Sequence, residues 1–517
     1  MRIIDFWDQG VAYHANNQAF LDNSSQYTYS EADKQIHKIA AAIHGNGYNK
    51  GTQVGVYAPN SNDAWLALLG LMRAESIWLP INPRNSVEVN VDLSERFEMD
   101  VMFYDACFNE QVKEIQAQVP SIKAFVCITG EGEVGQSLAD FVAGQPEFHQ
   151  IGDQEVNELA AIFPTGGTTG KSKGVLMNHE ALETFAINWY SHFNFHEKSV
   201  HLVVAPMTHS AGIMGCLHFM RGGTNVITKH VDPLSIMQDI AEHNVTHLFL
   251  PPTVMYMMLA HEEVNDYEYS SLQHFVVGAA PTSVEKLKEA INIFGPCMTE
   301  AYGQTEAPAA ITLKAPWDYI DSEGNINEDR LAGIGRPAGL NQVKLLGEDG
   351  KEVPRGEAGE ICVKGRLVTL GYLNNPEASA EAHKEGWLWT GDVGVMSDDG
   401  YIKIVDRSKD LIITGGFNVY PNEVEQVIST HAEIQECSVI GVPDEKWGEA
   451  VKAVVQLKPG QTISVEAIID DVKAKLGSVK APKTVDFIDD LPRSPNGKVM
   501  KADLRKKYWS GKDRAVN

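Results

Sequence analysis

The sequence predicts an α/β fold in two parts. A large amino-terminal domain of α/β subdomains and a β-rich subdomain is followed by a small α+β carboxy-terminal domain. Three observations predict it. The 517 residues exceed what one hydrophobic core usually accommodates. Hydrophobic residues make up 43% and charged residues 22%, which is typical of globular proteins. Short apolar runs also alternate with helical patterns over the first four hundred residues, as in parallel α/β sheets.

The amino-terminal pattern begins with a helix, a strand and a second helix. Residues 30–33, Ser-Glu-Ala-Asp, predict a helix cap, and the helix is expected to stop at Gly45-Asn46-Gly47. Residues 54–57 predict a strand, and residues 63–72 predict the next helix. Further runs end in Gly, Pro or Thr and predict buried parallel strands with ligand loops at their carboxyl ends: 159–163, 202–205, 248–250 and 275–277.

The pattern changes after Arg336-Pro337. Residues 359–363 and 401–405 predict strands of a β-rich region. From about Lys409 a fresh pattern starts, with a helix face in 465–476, and a tail of about a hundred residues can form its own small core.

The predicted domains therefore span residues 1–406 and 409–517.

Charge excludes several classes of function. Lys and Arg total 43 against 69 Asp and Glu, so the formal net charge is −26. Such a surface repels nucleic-acid backbones and anionic lipid, which argues against binding either as the main function. A small anionic ligand remains possible, because a few focused donors can overcome a distributed field.

The lack of a recognisable targeting signal and the wide spacing of the cysteines predict a cytoplasmic location. The first eight residues lack the pattern of a secretory signal. The longest apolar candidate, 64–72, is far shorter than the ~20 residues that a transmembrane helix needs. Six cysteines have no close pair, so we expect six buried free thiols rather than disulfides or a zinc site.

The most informative segment is a loop rich in glycine, threonine and lysine at residues 163–175, Phe-Pro-Thr-Gly-Gly-Thr-Thr-Gly-Lys-Ser-Lys-Gly-Val. It follows a strand-like run, and a helical segment at 180–189 comes soon after. Glycines allow close approach of backbone N–H groups to an anion, while threonine hydroxyls and lysines add donors and charge. A Walker A loop is excluded, because that motif needs glycine five positions before Gly170, where Thr165 stands.

This loop resembles the phosphate-binding signature of the adenylate-forming superfamily, which includes acyl- and aryl-CoA synthetases, luciferases and non-ribosomal adenylation domains. The usual pattern is Thr-Ser-Gly-Thr-Thr-Gly-x-Pro-Lys-Gly. This chain has Gly166 in place of the serine and Ser172 in place of the proline. The donors that the resemblance assigns to the phosphates of ATP remain: Thr165, Gly166, Gly167, Thr168, Thr169, Gly170 and Lys173.

Other motifs of the superfamily follow in order along nearly the whole chain. They are Pro206-Met207-Thr208-His209, Gly278-Ala279-Ala280-Pro281, Tyr302-Gly303-Gln304-Thr305-Glu306, Trp389-Thr390-Gly391-Asp392, Asp406-Arg407-Ser408-Lys409-Asp410 and Pro492-Arg493-Ser494-Pro495-Asn496-Gly497-Lys498. Singly these are moderate signals, and their order makes coincidence improbable.

The resemblance implies a role for each motif residue. Lys498 is the catalytic lysine, Thr305 donates to phosphate, Glu306 binds Mg²⁺, and His209 borders the acyl pocket. Further residues are implied to hold the nucleotide, by adenine-side contact, ring stacking or ribose contact: Gly278, Ala279, Ala280, Pro281, Tyr302, Asp392 and Arg407.

The resemblance also implies two half-reactions in one site. A mobile carboxy-terminal domain rotates about Lys409 and brings the Lys498 loop in for adenylation. The other orientation admits coenzyme A past Gly415 and Gly416. A tight turn before Asn418 is the alternative explanation for these glycines.

The expected reaction joins a carboxylic acid to coenzyme A through an acyl-adenylate, with release of AMP and pyrophosphate. Too little sequence follows Lys498 for a fused carrier-protein domain, which favours a freestanding ligase, with a homodimer as the candidate assembly. Bulky apolar residues in the expected pocket segments, 186–195, 207–220 and 278–303, favour a fatty acid, with an aryl or polycyclic acid second. These residues include Trp189, Tyr190, Phe193, Met214 and Met220.

Three alternatives remain at this point. An adenylate-forming enzyme that does not use coenzyme A shares the scaffold. A P-loop-like NTPase would release ADP and phosphate instead of AMP and pyrophosphate. A catalytically silent scaffold would keep the fold but lose Lys498, Glu306 and Arg407, all of which are present.

Overall fold

The structure of the protein, a computed structural model, describes residues 1–150, 152, 155–165, 172–228, 231–321, 323–347, 349–407, 410–493 and 499–509. Within these ranges the helices, numbered in chain order, are α1 (Ile3–His14), α2 (Tyr29–Gly45), α3 (Asn62–Arg73), α4 (Val87–Arg96), α5 (Asn109–Gln118), α6 (Leu138–Phe141), α7 (His179–Tyr190), α8 (Ser210–Phe219), α9 (Pro233–Glu242), α10 (Pro252–Leu259), α11 (Val284–Phe294), α12 (Glu328–Leu331), α13 (Pro376–Ala382), α14 (Pro421–Ile428), α15 (Val465–Leu476) and α16 (Lys501–Lys506).

The strands of the same ranges form four sheets. In chain order they are β1 (Gln18–Leu21), β2 (Gln26–Thr28), β3 (Gln53–Tyr57), β4 (Ile77–Pro80), β5 (Val101–Asp105), β6 (Ala124–Thr129), β7 (Gln136–Ser137), β8 (Leu159–Pro164), β9 (Gly174–Asn178), β10 (Val200–Val203), β11 (Thr224–Ile227), β12 (His247–Leu250), β13 (His274–Gly278), β14 (Met298–Gln304), β15 (Ala307–Lys314), β16 (Arg336–Pro337), β17 (Gln342–Leu346), β18 (Ala358–Lys364), β19 (His383–Lys384), β20 (Trp387–Met396), β21 (Ile402–Arg407), β22 (Ile412–Thr414), β23 (Phe417–Val419), β24 (Ile434–Asp444), β25 (Gly448–Leu457) and β26 (Thr484–Ile488).

Two mainly parallel sheets form the amino-terminal part. One has the order β16-β15-β14-β13-β12-β10-β11-β1-β2, and the other has the order β7-β6-β5-β3-β4-β8-β9. Pairing is parallel from β14 to β1 in the first sheet and from β7 to β8 in the second. Because the carboxyl ends of parallel strands share one edge, the loops that follow them gather there.

Apolar side chains from both sheets meet in the largest hydrophobic cluster. Helices α1, α2, α3, α7 and α8 contribute to it, with the rings of Trp7, Trp65, Phe185 and Phe219 buried. Other clusters cover the outer faces of the two sheets. The buried apolar runs of the sequence are therefore central strands, as predicted.

The β-rich region and the carboxy-terminal segment each have their own sheet. The first is an antiparallel sheet of β17, β18, β20, β19 and β21, and the second joins β23, β22, β25, β24 and β26. A separate cluster built from residues of 412–485 includes Val439, Val451, Ile468 and Val472. The predicted boundary at 406–409 begins within the last two residues of β21, and the next described strand is β22.

Several local predictions need correction. The cap of α2 is Thr28 rather than Ser30, because the Thr28 hydroxyl accepts a hydrogen bond from Glu31 N while the Glu31 carboxylate accepts one from Thr28 N. The prediction that all six cysteines are buried is wrong for Cys107, which is exposed, although none of the six forms a disulfide. Among the described residues, no helix combines the length and the apolar character needed to span a membrane.

Candidate active site

The glycine-rich loop connects two strands, and the predicted helical segment follows the second of them. Strand β8 pairs antiparallel with β9, and the ends of the loop are fastened by Thr165 N donating to Lys173 O at 2.9 Å and Lys173 N donating to Thr165 Oγ1 at 3.1 Å. The predicted donors Gly166, Gly167, Thr168, Thr169 and Gly170 lie outside the described residues. Strands β8 and β9 thus form a hairpin that is paired at the base of the glycine-rich loop, and α7 follows only after β9.

A tyrosine that the sequence analysis missed connects this hairpin to Glu306. The ammonium of Lys173 lies 4.6 Å from the ring centroid of Tyr372, a cation–π geometry. The Tyr372 hydroxyl donates to Glu306 Oε1 at 2.7 Å. Burial raises the pKa of Tyr372, and the neighbouring Glu306 carboxylate raises it further, so the hydroxyl keeps its proton. No local sequence signal identifies Tyr372.

The backbone fixes Tyr372 beside β9. Leu373 N donates to Gly174 O at 2.7 Å, and Leu176 N donates to Gly371 O at 2.9 Å. Thr369 attaches the start of this segment to Glu306, since Thr369 N and Oγ1 both donate to Glu306 O, at 3.0 and 3.1 Å. The segment 369–373 therefore bridges the two large sheets at the site.

Thr305 and Glu306 form the turn between β14 and β15. Gly303 permits this tight hairpin, because a Cβ there would lie 2.4 Å from Ala309 N. Glu306 is buried. In the residues that the structure describes, no three His, Cys, Asp or Glu side chains are grouped to hold a metal ion. A single carboxylate suits Mg²⁺ that shares its coordination with nucleotide phosphates and water, so Glu306 fits the expected role.

The expected adenine-side loop follows β13. Gly278 pairs with Ala301 of β14, and a Cβ at Gly278 would lie 3.1 Å from Ala301 O. Ala279 then adopts a φ of +68°, which is unfavourable for a residue with a side chain. Ala280 and Pro281 continue this loop. Strain at the carboxyl end of a parallel strand is typical of a ligand loop.

Tyr302, Asp392 and Arg407 form one connected group. The Tyr302 hydroxyl donates to Asp392 Oδ2 at 2.7 Å, and Arg407 Nε lies 3.2 Å from Asp392 Oδ1. Burial, with the nearby Asp392 charge, raises the pKa of Tyr302 well above its usual value. Register between β20 and β21 places Asp392 opposite Arg407. The sequence predicted all three residues but not the bond between Tyr302 and Asp392.

His209 lies at the amino end of α8, against the ring of Phe163 at 5.6 Å between centroids. Burial lowers the pKa of His209 to about 4, so the imidazole is neutral at neutral pH. A neutral ring beside the end of β8 suits a pocket wall and not a cationic phosphate ligand.

The expected hinge residue Lys409 lies outside the described residues. Charged residues near it form ion pairs. Asp410 accepts from Arg505 Nη1 at 2.6 Å, and Lys501 Nζ lies 2.8 Å from Glu425 Oε1. Burial raises the pKa of Asp406 to about 6, although Lys501 opposes the shift. These ion pairs fasten α16 to the chain beside the hinge.

Gly415 and Gly416 form the two-residue turn between β22 and β23, with φ values of +58° and +83°. A Cβ on Gly415 would lie 2.6 Å from the ring of Trp447, while a Cβ on Gly416 would meet no described atom within 4 Å. The alternative explanation of a tight turn is therefore correct as a description of the backbone.

Lys498 and the residues 494–497 lie outside the described residues. Their flanks are joined, because Arg493 and Val499 form a β-bridge and Met500 N donates to Pro492 O at 2.8 Å. The described residues on either side of the expected catalytic lysine are therefore held next to each other.

The expected acyl-pocket residues divide into two groups. Trp189, Phe193 and Met214 line a small cavity. Tyr190 instead donates to Leu217 O, and Met220 packs at the edge of the core cluster.

The site draws on three of the four sheets. The glycine-rich hairpin comes from one large sheet, the Tyr302–Glu306 hairpin from the other, and the Asp392–Arg407 pair from the β-rich sheet. Together, fold and site define a nucleotide-binding α/β enzyme with a separate carboxy-terminal sheet. The model of the AMP-binding enzyme family matches residues 6–373, and that of the AMP-binding enzyme C-terminal domain matches residues 423–498. The chain belongs to this family of adenylate-forming enzymes.

Curated relatives agree on the type of reaction but not on the acid. A medium/long-chain-fatty-acid–CoA ligase, FadD8 of Mycobacterium tuberculosis, is 32% identical over 97% of this chain and 89% of its own length. A feruloyl-CoA synthase of Amycolatopsis sp. is 29% identical over 93% and 94%. The 3-[(3aS,4S,7aS)-7a-methyl-1,5-dioxo-octahydro-1H-inden-4-yl]propanoyl:CoA ligase of Rhodococcus jostii is 31% identical over 94% and 95%.

Solved structures agree on the fold. ATP-bound MatB from Rhodopseudomonas palustris has a TM-score of 0.88 and 28% identity, with 98% of this chain and 99% of that chain covered. The chain is therefore an AMP-forming acid–CoA ligase that acts through an acyl-adenylate and uses ATP and coenzyme A.

Proposed function

We propose that this ligase activates fatty acids, and that the residues named above act as their motifs imply. The observation that carries the choice of acid is the bulky apolar character of the expected pocket segments, which include the buried residues Trp189, Phe193 and Met214. Such side chains favour a large apolar acyl group over a short acid such as acetate. The similarity to a fatty-acid–CoA ligase at 32% identity supports the same choice.

Adenylation needs charge neutralisation around the α-phosphate, because a carboxylate attacks a phosphorus centre that already carries negative oxygens. Lys498 supplies a compact positive charge at that point. Thr305 donates to phosphate, and Glu306, oriented by Tyr372, holds Mg²⁺, which neutralises phosphate charge when bound. The glycine-rich hairpin, closed by Thr165 and Lys173, holds the triphosphate.

The nucleoside is held by the second group of residues. Asp392 accepts hydrogen bonds from the ribose hydroxyls, and Arg407 adds a donor beside it. Tyr302 presents its ring to adenine while its hydroxyl is used by Asp392. The strained loop 278–281 forms the other side of the adenine site.

Thioester formation follows rotation about Lys409. The carboxy-terminal domain then presents the Gly415–Gly416 turn to the pantetheine arm of coenzyme A, while His209 separates the acyl pocket from the thiol entrance. The Gly416 side of the turn is open, since a Cβ there would meet no described atom within 4 Å, and this suits passage of a narrow chain.

An aryl or polycyclic acid is the second candidate. The relatives named for feruloyl and for a bicyclic propanoyl group are 29% and 31% identical to this chain, nearly as similar as the fatty-acid relative. Aromatic walls such as Trp189 and Phe193 also suit ring-bearing acids.

A panel of carboxylic acids tests the proposal. Pyrophosphate release with medium- and long-chain fatty acids, and acyl-CoA formed only when coenzyme A is present, are the expected results. Release of ADP and phosphate would contradict adenylation, and a preference for aryl acids would move the assignment to the second candidate.

Lys498→Ala separates the two half-reactions. We expect adenylation to fall roughly a hundredfold or more, while thioester formation from supplied acyl-adenylate remains. The control is Lys506→Ala, which removes an exposed lysine of α16 that pairs only with Asp503 among its charged neighbours in the described residues. Equal loss of both steps in Lys498→Ala would contradict the rotation scheme.

A further inference from the structure

Strand β20 carries a β-bulge where it pairs with β18. Residues 390–392 of β20 lie opposite the single residue Ile361 of β18, while regular antiparallel pairing continues on both sides. Gly391, in the middle of the bulge, has a φ of +74°, a left-handed conformation that glycine adopts without strain. A bulge bends its strand and changes the direction of the side chains within it. This bulge therefore sets the direction in which Asp392 points.

Two side chains hold the bulge. The Glu360 carboxylate accepts a hydrogen bond from Gly391 N at 2.9 Å. The Thr390 hydroxyl donates to Ile361 O at 2.8 Å and accepts from Asp392 N at 3.1 Å. Glu360 and Ile361 are neighbours on β18, so both contacts attach the bulged segment to the same point of the adjacent strand.

Glu360 does not face the nucleoside itself. Residues that pair directly across an antiparallel ladder share a face of the sheet, and Glu360 pairs with Val393. Val393 follows Asp392 in the same strand, and successive side chains point to opposite faces. Glu360 therefore lies on the face away from the Asp392 side chain, and it reaches the bulge through the backbone N–H of Gly391.

The Glu360 carboxylate is half-buried on that face. Burial raises the pKa of Glu360, while the hydrogen bond from Gly391 N and the charge of Lys384 lower it. Lys384 lies on β19, which pairs with β20 on the side opposite β18. Because removing a carboxylate from water is costly unless it accepts hydrogen bonds, the contact with Gly391 N favours the bulged conformation of β20.

The two ends of Asp392 are held by different residues. Tyr302 and Arg407 hold its carboxylate, at 2.7 Å from Oδ2 and 3.2 Å from Oδ1, whereas Glu360 and Thr390 hold the backbone around it. Tyr302 and Arg407 are expected to touch the nucleoside as well, so their substitution changes several contacts at once. Substitution of Glu360 acts on the direction of Asp392 alone.

We propose that Glu360 is a positioning residue for the ribose of ATP, because through Gly391 N it holds the bulge that directs Asp392 at the ribose hydroxyls. The proposal rests on the proposed function, in which Asp392 accepts hydrogen bonds from these hydroxyls. A carboxylate that is already held in place binds the hydroxyls more tightly than one that must be ordered on binding. It also rejects a sugar that lacks a hydroxyl, because the carboxylate then keeps an unpaired oxygen.

Deoxynucleotides test this proposal. Pyrophosphate release is measured with ATP, 2′-deoxyATP and 3′-deoxyATP and one acid that the enzyme activates. The unmodified enzyme should prefer ATP over at least one analogue by roughly tenfold to a hundredfold in kcat/KM. Glu360→Ala should lower this preference to within about threefold, mainly through a higher KM for ATP, with little change for the deoxy analogue. A variant that is only less stable would lose activity with all three nucleotides equally.

Three further variants test whether the bulge is responsible. Glu360→Gln should keep most of the preference, because an amide oxygen accepts the same hydrogen bond from Gly391 N. Thr390→Val removes the other side-chain contact and should lower the preference even if Glu360→Ala fails to fold. Glu352→Ala is the control and should leave the preference unchanged, since Glu352 forms an exposed ion pair with Lys344 of β17 at 2.9 Å.

A preference that is kept in folded Glu360→Ala and Thr390→Val but lost in Asp392→Ala would overturn the proposal and leave the ribose contact of the proposed function intact. An equal loss in Glu352→Ala would also overturn it. Equal use of ATP and both deoxy analogues by the unmodified enzyme would overturn the ribose contact and the proposal together. The acid-activating function stands in each case, because it is measured by pyrophosphate release with ATP.

Discussion

The Tyr302 hydroxyl donates a 2.7 Å hydrogen bond to Asp392 Oδ2, although ninety positions separate the two residues in the chain. This bond joins the β14–β15 hairpin to the β-rich sheet. Both residues are expected to contact the same nucleoside, one through its ring and the other through its carboxylate. The bond therefore fixes the adenine and ribose contacts relative to each other.

Tyr302→Phe should weaken ATP binding without abolishing catalysis. The ring remains for stacking, while Asp392 loses one of its two partners, at a cost of about 1 kcal/mol that corresponds to a KM for ATP raised roughly fivefold. The rate of ATP–pyrophosphate exchange at a series of ATP concentrations measures this KM. Tyr401→Phe is the matched control, because Tyr401 donates to Asp318 in a different part of the protein. An equal change in both variants would contradict a specific role for the Tyr302–Asp392 bond.

Tyr372→Phe should raise the Mg²⁺ concentration required for half-maximal adenylation by roughly threefold to tenfold. The phenyl ring keeps its contact with Lys173, but Glu306 Oε1 loses its donor and is less well oriented. A titration of the rate with Mg²⁺ at saturating ATP gives the value. Lys173→Met is the comparison, since it should raise the KM for ATP and leave the Mg²⁺ requirement unchanged. A shifted KM for ATP with an unshifted Mg²⁺ curve in Tyr372→Phe would argue against this link.

Gly415→Ala should impair thioester formation more than adenylation. The new Cβ would meet the Trp447 ring at 2.6 Å and would also occupy a φ of +58°, so the turn must move. We expect a higher KM for coenzyme A and a loss of about 1 to 3 kcal/mol in stability. Gly460→Ala controls for the backbone strain alone, because Gly460 has a φ of +75° and its added Cβ would meet no described atom within 4 Å. Equal effects on coenzyme A in both variants would contradict the assignment.

The buried histidines make stability depend on pH. Burial lowers the pKa of His201 and His209 from 6.5 to about 4 and that of His274 to about 3. Their neutral forms stabilise the folded state fully above pH 6.5, and this stabilisation is lost as the pH falls toward about 4, since the unfolded chain binds protons first. Each such histidine contributes a slope of about 1.4 kcal/mol per pH unit in that window.

Thermal unfolding at a series of pH values measures this slope. His201→Asn should unfold with a smaller loss of stability on acidification than the unmodified protein. The same loss in both proteins would show that His201 is not neutral in the folded state.

Much of the fold follows from local sequence patterns. Residues 54–57 and 275–277 lie in strands, and the helix face at 465–476 is α15, because period and apolar runs reflect burial directly. The cap of α2 was misplaced by two residues because two capping patterns overlap, and only Thr28 has a glutamate three residues later.

The sequence by itself determined the family and the order of the motifs, because glycines, threonines and charged residues at fixed spacings are local features. Only the tertiary structure decided that Tyr372 joins Lys173 to Glu306, and that Tyr302 binds Asp392. Contacts of this kind depend on strand register and on the crossovers between strands. The residues involved have no fixed spacing in the sequence, so no local pattern predicts these contacts.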